Sequence, residues 1–464
     1  MKRSRLSLCL LAAFSIAAAA QSPADSSAQL VPTPPLGWNS YDAYGITVTE
    51  SQFKNNVNWF HQHLQQYGWQ YVVIDANWYF AHPLNPHNYG YIISSDGRYL
   101  PAINRFPSAA GNQGFKPIAD SVHSLGLKFG IHIIRGIPRE AVVKNMPIAG
   151  SHFRAAEAGD TSDRCRWNGD NYGVKPNAAG QAYYDSIVHL YAGWGVDFLK
   201  VDCIASPYKA DEIRMIAAAI KKSGRPIVLS VSPGPTPLDQ AATVSKYAQL
   251  WRISNDFWDL WSHSHNESGF PQNLKDQFHV LAEWEPYAGP GHWPDADMLP
   301  IGYLGPQAGW GPSPRQTRLT HDEARTLVTL WSIARSPLII GANLTRMGPA
   351  TEALLTNPEV LAVDQHTTGN HPIFTSKNGE ASGDGNIVMW TAREGADHII
   401  AVFNRGDGPA RVSTARWQKL GDQFGLDQAR YRVRDLWQKK DLGSETSLSI
   451  MLPPHGSALF RLSQ

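Results

Sequence analysis

Val196-Asp197-Phe198-Leu199-Lys200-Val201-Asp202-Cys203 is the stretch on which the fold turns. Val, Phe, Leu and Val suit a strand buried on both faces. Lys200 and Asp202 are two residues apart, so on a strand their side chains leave the same face. A cation and a carboxylate at the end of such a strand are costly to bury unless they pair or carry out chemistry. In parallel α/β proteins the carboxyl ends of the strands are where sites form. The stretch therefore predicts a buried parallel strand whose end opens on a polar pocket.

On either side of it, from Pro34 onward, short apolar runs alternate with amphipathic ones. Strands are expected at Gly37–Ser40, Tyr71–Asp75, Lys128–Ile133, the opening stretch, Pro226–Val231, Leu250–Ser254, Gly291–Leu299 and Pro337–Gly341. Helices are expected at Thr49–Gln66, Ile118–Leu125, Ala182–Gly193, Ala210–Lys222, Leu238–Ala248, Leu274–Trp284, Asp322–Ile333 and Ala350–Leu355. In the first helix Thr49 can cap the start, and Phe53, Val57, Phe60 and Leu64 recur at helical spacing. The connections after the second and third strands are long, reaching about Gly114 and Asn177, and loops of that length usually carry function. The later one contains Cys165 and Trp167. Eight strand–helix units predict an α/β chain closed into a (β/α)8 TIM barrel over residues 32–366.

Past His366 the pattern changes. Asn386–Thr391, His398–Phe403, Tyr431–Trp437 and Ser457–Leu462 read as strands, the first two split by Glu394-Gly395-Ala396. They predict a C-terminal antiparallel β-sandwich domain over residues 367–464. The 464 residues carry a formal net charge of only +1, which gives no electrostatic ground for a nucleic-acid or anionic-membrane partner. Sixteen tryptophans are a weak pointer to sugar-binding platforms, since most aromatics serve cores. Lys2, Arg3 and Arg5 precede an apolar run from Leu6 to Ala20, which reads as a secretory signal over residues 1–20 followed by a disordered leader over residues 21–31. The expected product is secreted or periplasmic, with no membrane attachment after signal cleavage. Cys165 and Cys203 then remain, and an exported chain can oxidise them to a disulfide.

The expected strand ends bring Trp38, Asp75, His132, Lys200 with Asp202, Ser232, Arg252 with Asp256, and Asp297 to one face of the barrel. The histidines stand singly and no phosphate-binding glycine loop is present, so the pattern calls for neither a metal nor a nucleotide. Two carboxylates flanking one bond, about 5 Å apart, are what retaining glycoside hydrolysis needs. Asp202 and Asp256 are the best pair. Lys200 would keep Asp202 ionised, while Asp256, four residues past Arg252, sits in a loop from which it could protonate a leaving oxygen. Each residue has a plainer reading. Asp202 could cap the next helix, Asp256 could be a solvated loop acid, and Asp75 and Asp297 could brace tight loops. Lys200 could simply neutralise Asp202. Trp38 and Trp78 are more often core, and His132 a satisfied strand-end histidine.

Thr33-Pro34-Pro35-Leu36-Gly37-Trp38-Asn39-Ser40, Lys200-Val201-Asp202, Trp251-Arg252 with Asp256, and Gly289-Pro290-Gly291 with Asp295-Ala296-Asp297-Met298-Leu299 resemble glycoside hydrolase family 27. This is the family of α-galactosidases and α-N-acetylgalactosaminidases. Val360-Leu361-Ala362-Val363-Asp364-Gln365 resembles the end of its barrel, and residues 370–464 its C-terminal domain. The resemblance implies Asp202 as nucleophile, Asp256 as acid/base, and Lys200, Arg252, Trp38, Asp75 and Asp297 as sugar contacts. It further implies double displacement without a cofactor. The departures fall on specificity. Asp75-Ala76-Asn77-Trp78 lacks the family's second aspartate, which helps grip the sugar's C4/C6 side, and Asn77 substitutes for it in part. His132 replaces a tyrosine, and Ser232 replaces the galactosidase glutamate. Pro233 and Gly234 depart from both family patterns.

The expectation is an exo-acting α-galactosidase releasing the terminal sugar of an oligo- or polysaccharide or glycoconjugate. Within the same chemistry, α-N-acetylgalactosaminide, β-L-arabinopyranoside and isomaltose-type glucan are alternatives. A non-catalytic carbohydrate-binding protein and a metal-dependent hydrolase are the competing classes. Neither the aglycone nor the oligomeric state follows from the residues.

Overall fold

The computed structural model describes residues 30–262, 270–305, 313–374, 385–414, 417 and 424–464. The expected signal and most of the expected leader lie outside the described residues. Eight strands form one parallel sheet: β1 Leu36–Asn39, β2 Tyr71–Ile74, β3 Lys128–Ile134, β4 Phe198–Asp202, β5 Val228–Val231, β6 Leu250–Arg252, β7 Trp293–Asp295 and β8 Leu338–Ile340. Their order is β7-β6-β5-β4-β3-β2-β1-β8. The ring closes just past β7, where Leu299 bridges Ile340 in parallel and its N–H donates to Ile339 O at 2.7 Å.

Side-chain alternation sorts each strand into two faces. Trp38, Val72, Ile74, Phe129, Ile131, Leu199 and Val201 point outward into the core shared with the helices. Tyr71, Val73, Phe198, Val228, Leu250 and Trp293 point inward and fill the lower barrel. Val31 plugs the floor, its carbonyl accepting from Trp293 Nε1 at 2.9 Å. The last residue of the expected disordered leader is thus an ordered part of the barrel, because its apolar side chain closes an apolar floor.

The helices that follow the strands are α1 Glu50–His63, α2 Lys116–Ser124, α3 Ala178–Trp194, α4 Ala210–Ser223, α5 Ala241–Tyr247, α6 Leu274–Trp284, α7 His321–Ala334 and α8 Pro349–Leu355. Thr49 caps α1 in a reciprocal box with Gln52. Asn177 starts α3 a turn earlier than the apolar pattern suggests, accepting from Gly180 N. The stretch expected as one helix from Leu238 splits into a 3₁₀ turn, Leu238–Gln240, and the short α5. A further helix, α9 Pro358–His366, lies beyond the expected set; Asn357 caps it and Pro358 opens it. The long loop after β3 holds a small sheet of Ile137–Pro138, Gly159–Arg164 and Asn171–Val174.

The C-terminal strands β9 Thr368–Phe374, β10 Ile387–Glu394, β11 Asp397–Asn404, β12 Tyr431–Asp435, β13 Lys440–Glu445 and β14 Ser457–Ser463 make an antiparallel sheet of order β9-β10-β11-β14-β12-β13. Ala410–Ser413 and Ser449–Leu452 pair above it, enclosing Met389, Val402, Trp417 and Phe460. On its other face Trp390, Ala401, Phe403 and Leu459 join the barrel's core.

Candidate active site

The inward face that is apolar at the floor becomes polar at the strand ends. Asp75, Asn77, His132, Lys200, Asp202, Ser232, Arg252, Asp256 and Asp297 all line one cleft of about 1100 Å³. Trp38, expected among the sugar contacts, does not reach it. Trp38 has the outward parity of β1, packs on Phe53 of α1 with ring centres 5.8 Å apart, and donates its indole N–H to Ala342 O. The inward positions are Asn39 and, just past the strand, Tyr41, which lines the cleft.

Asp202 ends β4 with its side chain 20% exposed. Its Oδ1 accepts from the next amide, Cys203 N–H, at 2.8 Å and faces Ser232 Oγ at 3.4 Å. Its Oδ2 lies 3.6 Å from His132 Nε2. Burial alone would raise the Asp202 pKa, but the imidazole of His132, then Lys200 and the Cys203 amide, hold it below the ordinary carboxylate range. Lys200 is therefore not the main partner of Asp202. Its ammonium sits 3.1 Å from Asp75 Oδ2. Burial pulls the Lys200 pKa down, and Asp75 and Asp297 more than reverse this, so it is a permanent cation.

Asp75 is fully committed. Asn39 Nδ2 and Lys200 Nζ bind Oδ2 at 2.7 and 3.1 Å, and Ala76 N–H binds Oδ1 at 2.8 Å. Burial opposes ionisation here too, but His132, Lys200 and Asn39 outweigh it and keep Asp75 charged. Asn77, in the left-handed region at φ 58°, donates to Asp170 Oδ2 at 3.0 Å. Trp78 is core, its indole N–H donating to His132 O at 2.7 Å, which fixes the backbone that carries the imidazole.

The opposite wall is built on β6 and β7. Arg252 Nη2 contacts Asp297 Oδ2 at 2.8 Å and Asp256 Oδ1 at 3.2 Å. Asp297 also accepts from Phe257 N–H at 2.8 Å, so one carboxylate holds both the arginine and the loop that carries Asp256. Burial pushes the Asp297 pKa up to about 6, against the pull of Arg252. Asp256 rises from this wall with its side chain 48% exposed. The two candidate carboxylates thus differ in setting: Asp202 is deep and held as an anion, and Asp256 stands at the water-facing mouth. Among the described residues no cluster of three or more His, Cys, Asp or Glu has the arrangement of a metal site.

Cys165 and Cys203 are bonded, their Cα atoms 5.9 Å apart. Cys203 is at φ 61°, and its carbonyl accepts from Arg135 Nε at 2.7 Å. Strand-end reasoning missed Asn39, Tyr41, Asp42 and Asp170, all of which brace or line the cleft. Inward parity on β1 would have pointed to Asn39 and Tyr41. Asp170 comes from the long loop, in the bend just before Asn171–Val174, where no apolar periodicity reveals it.

A family model described as alpha galactosidase A matches residues 172–366, and one described as alpha galactosidase C-terminal beta sandwich domain matches residues 384–462. Alpha-galactosidase A of Cellvibrio japonicus is 26% identical over 99% of this chain and 99% of its own. Alpha-N-acetylgalactosaminidase of Gallus gallus is 25% identical over 93% and 94%. Among solved structures, a GH27 β-L-arabinopyranosidase from Geobacillus stearothermophilus is 43% identical with a TM-score of 0.86, covering 94% of this chain and 98% of that one.

Proposed function

The chain belongs to glycoside hydrolase family 27 and is an α-galactosidase-like glycosidase, and on that premise we propose that it is a retaining exo-glycosidase removing terminal galacto-configured pyranosyl residues, α-D-galactosyl in the first instance. The carrying observation is the pair of carboxylates in one cleft, Asp202 held ionised beside His132 and Asp256 exposed beside Arg252. Asp202 attacks the anomeric carbon as Asp256 gives its proton to the departing glycosidic oxygen. The C–O bond breaks and a glycosyl ester forms on Asp202. Asp256, now a carboxylate, takes a proton from water. That water attacks the same carbon from the vacated face and Asp202 leaves, so the anomeric configuration is kept. Lys200 with Asp75, and Arg252 with Asp297, supply fixed charges for the sugar hydroxyls.

The test is hydrolysis of an aryl α-galactoside followed by proton NMR. The first-formed sugar should be the α-anomer, and Asp202→Ala should lose roughly 10³-fold or more in kcat. A β-anomer, or equal rates in the two proteins, would sink the mechanism.

A second glycone is favoured by Ala76. β-L-Arabinopyranoside has the ring stereochemistry of α-galactoside but hydrogen in place of the C6 hydroxymethyl. Ala76 presents a methyl to the cleft where the galactosidase pattern has a carboxylate. A site without a partner for a hydroxyl does not penalise its loss, and the Geobacillus structure is named for this activity. The ratio of kcat/KM on the two aryl glycosides decides between them. We also take the chain to be exported, a reading supported by its basic and apolar N-terminal run and its buried disulfide. A mature protein beginning near residue 21 would bear this out, and an intact Met1 would refute it.

A further inference from the structure

Arg135 lies behind the candidate nucleophile, outside the wall of the cleft. It directly follows β3, and its side chain is 2% exposed. A guanidinium is costly to bury unless it is paired, and this one has two carboxylates. Nη1 donates to Glu212 Oε1 of α4 at 2.6 Å, and Nη2 to Asp163 Oδ1 of the loop sheet at 2.8 Å. Burial pulls the Arg135 pKa down, and these two acids more than reverse it. Asp163 also holds the ammonium of Lys209 at 3.0 Å, so two cations face two anions. The remaining donor, Nε, goes instead to a neutral group, the carbonyl of Cys203, at 2.7 Å.

That carbonyl belongs to the residue after Asp202. Cys203 stands in the left-handed region at φ 61°, a conformation that a residue with a side chain keeps only where its surroundings impose it. Its N–H meets Asp202 Oδ1 at 2.8 Å. Arg135 grips both flanks of this residue: its backbone N–H donates to Asp202 O at 3.0 Å, and its Nε to Cys203 O. Oδ1 of Asp202 is therefore occupied. Oδ2, with the His132 imidazole standing off at 3.6 Å, is left for the anomeric carbon.

We propose that Arg135 is a positioning residue of the reaction: through the Cys203 carbonyl it holds the amide that pins Asp202 Oδ1, and so presents Oδ2 as the attacking oxygen. The proposal rests on the glycosidase reading above and adds to it a residue that does not touch the sugar.

Two substitutions separate the hydrogen bond from the charge. Arg135→Lys puts a methylene where the Nε–H stands and keeps a cation for Glu212 and Asp163. Arg135→Gln keeps an N–H donor at the ε position and removes the cation. Both are assayed on glycosyl fluorides. Arg135→Lys should lose about tenfold in kcat with little change in KM. Arg135→Gln should melt at the lower temperature yet lose less in kcat. The reverse ranking, with activity following thermal stability, would make Arg135 a structural tie and overturn the proposal, as would wild-type kcat in Arg135→Lys. If the lysine variant does not fold, a folded Arg135→Gln protein with about tenfold lower kcat would overturn it as well.

A wild type inert on α-galactosyl and β-L-arabinopyranosyl fluorides would instead overturn the glycosidase reading. The positioning is then read without turnover, by carbon NMR titration of the Asp202 carboxyl. His132, Lys200, Arg252 and Tyr41 act on Asp202 in wild type and variant alike. Loosening the Cys203 amide in Arg135→Lys should therefore raise the midpoint by about half a pH unit. An unmoved midpoint would refute the role of Arg135.

Discussion

His132 is the residue on which the chemistry of Asp202 leans most. A buried carboxylate left to itself protonates, because desolvation disfavours its charged form. At Asp202 that tendency is reversed first by the imidazole 3.6 Å away and only then by Lys200, whose short contact is with Asp75. With its pKa lowered, Asp202 is ionised throughout the ordinary carboxylate range, and activity dependent on the anion is lost only as pH falls through the lowered value. His132→Phe removes the leading counterweight to burial and leaves only Lys200 and the Cys203 amide to oppose it, so the Asp202 pKa rises. The acid limb of the kcat/KM profile on a glycosyl fluoride should move up by roughly one pH unit, with a smaller change at neutral pH. An acid limb at the wild-type position would show that Lys200 and the Cys203 amide suffice. A histidine at this strand end, where the resembled family carries a tyrosine, thus bears on the electrostatics of the candidate nucleophile.

At the scale of elements, the loop after β5 explains a departure that the sequence left unexplained. A Cβ on Gly234 would lie 2.2 Å from Ser254 O and 2.9 Å from Arg252 O. The β5 loop lies flat on the end of β6, and Thr236 adds hydrogen bonds from its N–H and Oγ1 to Arg252 O at 3.0 and 2.8 Å. Backbone on both sides of the contact leaves no flexible group to give way. Gly234→Ala should push the end of β6 outward, and with it Arg252 and the loop that carries Asp256. The expected result is a drop of about 10²-fold in kcat in a protein whose circular dichroism is that of wild type. Full activity would mean that the loop shifts without moving β6.

At the scale of the whole molecule, α7 is the element that barrel and sandwich share. Every residue from Glu323 to Ala334 except Arg325 is buried, and a helix buried nearly all round must be covered on both sides. The barrel covers one side and the β-sheet the other. The polar residues on α7 find partners across the junction: Thr326 Oγ1 donates to His455 O at 2.7 Å, and Thr329 Oγ1 accepts from Trp437 Nε1 at 2.9 Å. The full chain should therefore unfold in one calorimetric transition, and Thr326→Val should lower its stability by about 1 kcal/mol. Two separable transitions would show that the sheet is an appendage.

The opening stretch, Val196 to Cys203, shows how far the residues alone reach. Period-two and period-3.6 patterning sets which segments are strands and helices, because burying apolar surface is a local demand that each segment meets with its own side chains. That is why the eight units and the strand-end polar set are legible, and why Trp38 could have been excluded by parity. Partner choice is another matter. Whether Lys200 serves Asp202 or Asp75, whether Cys165 meets Cys203, and that Asp170 links Asn77 to Tyr91 all depend on the shear of the closed sheet and the path of two long loops. Such contacts join residues tens of positions apart, and no local energy encodes them. The sequence by itself determined the barrel, its polar rim and the candidate carboxylates. Only the tertiary structure decided which charges pair at the rim, because electrostatic energy depends on distances that closure of the barrel creates.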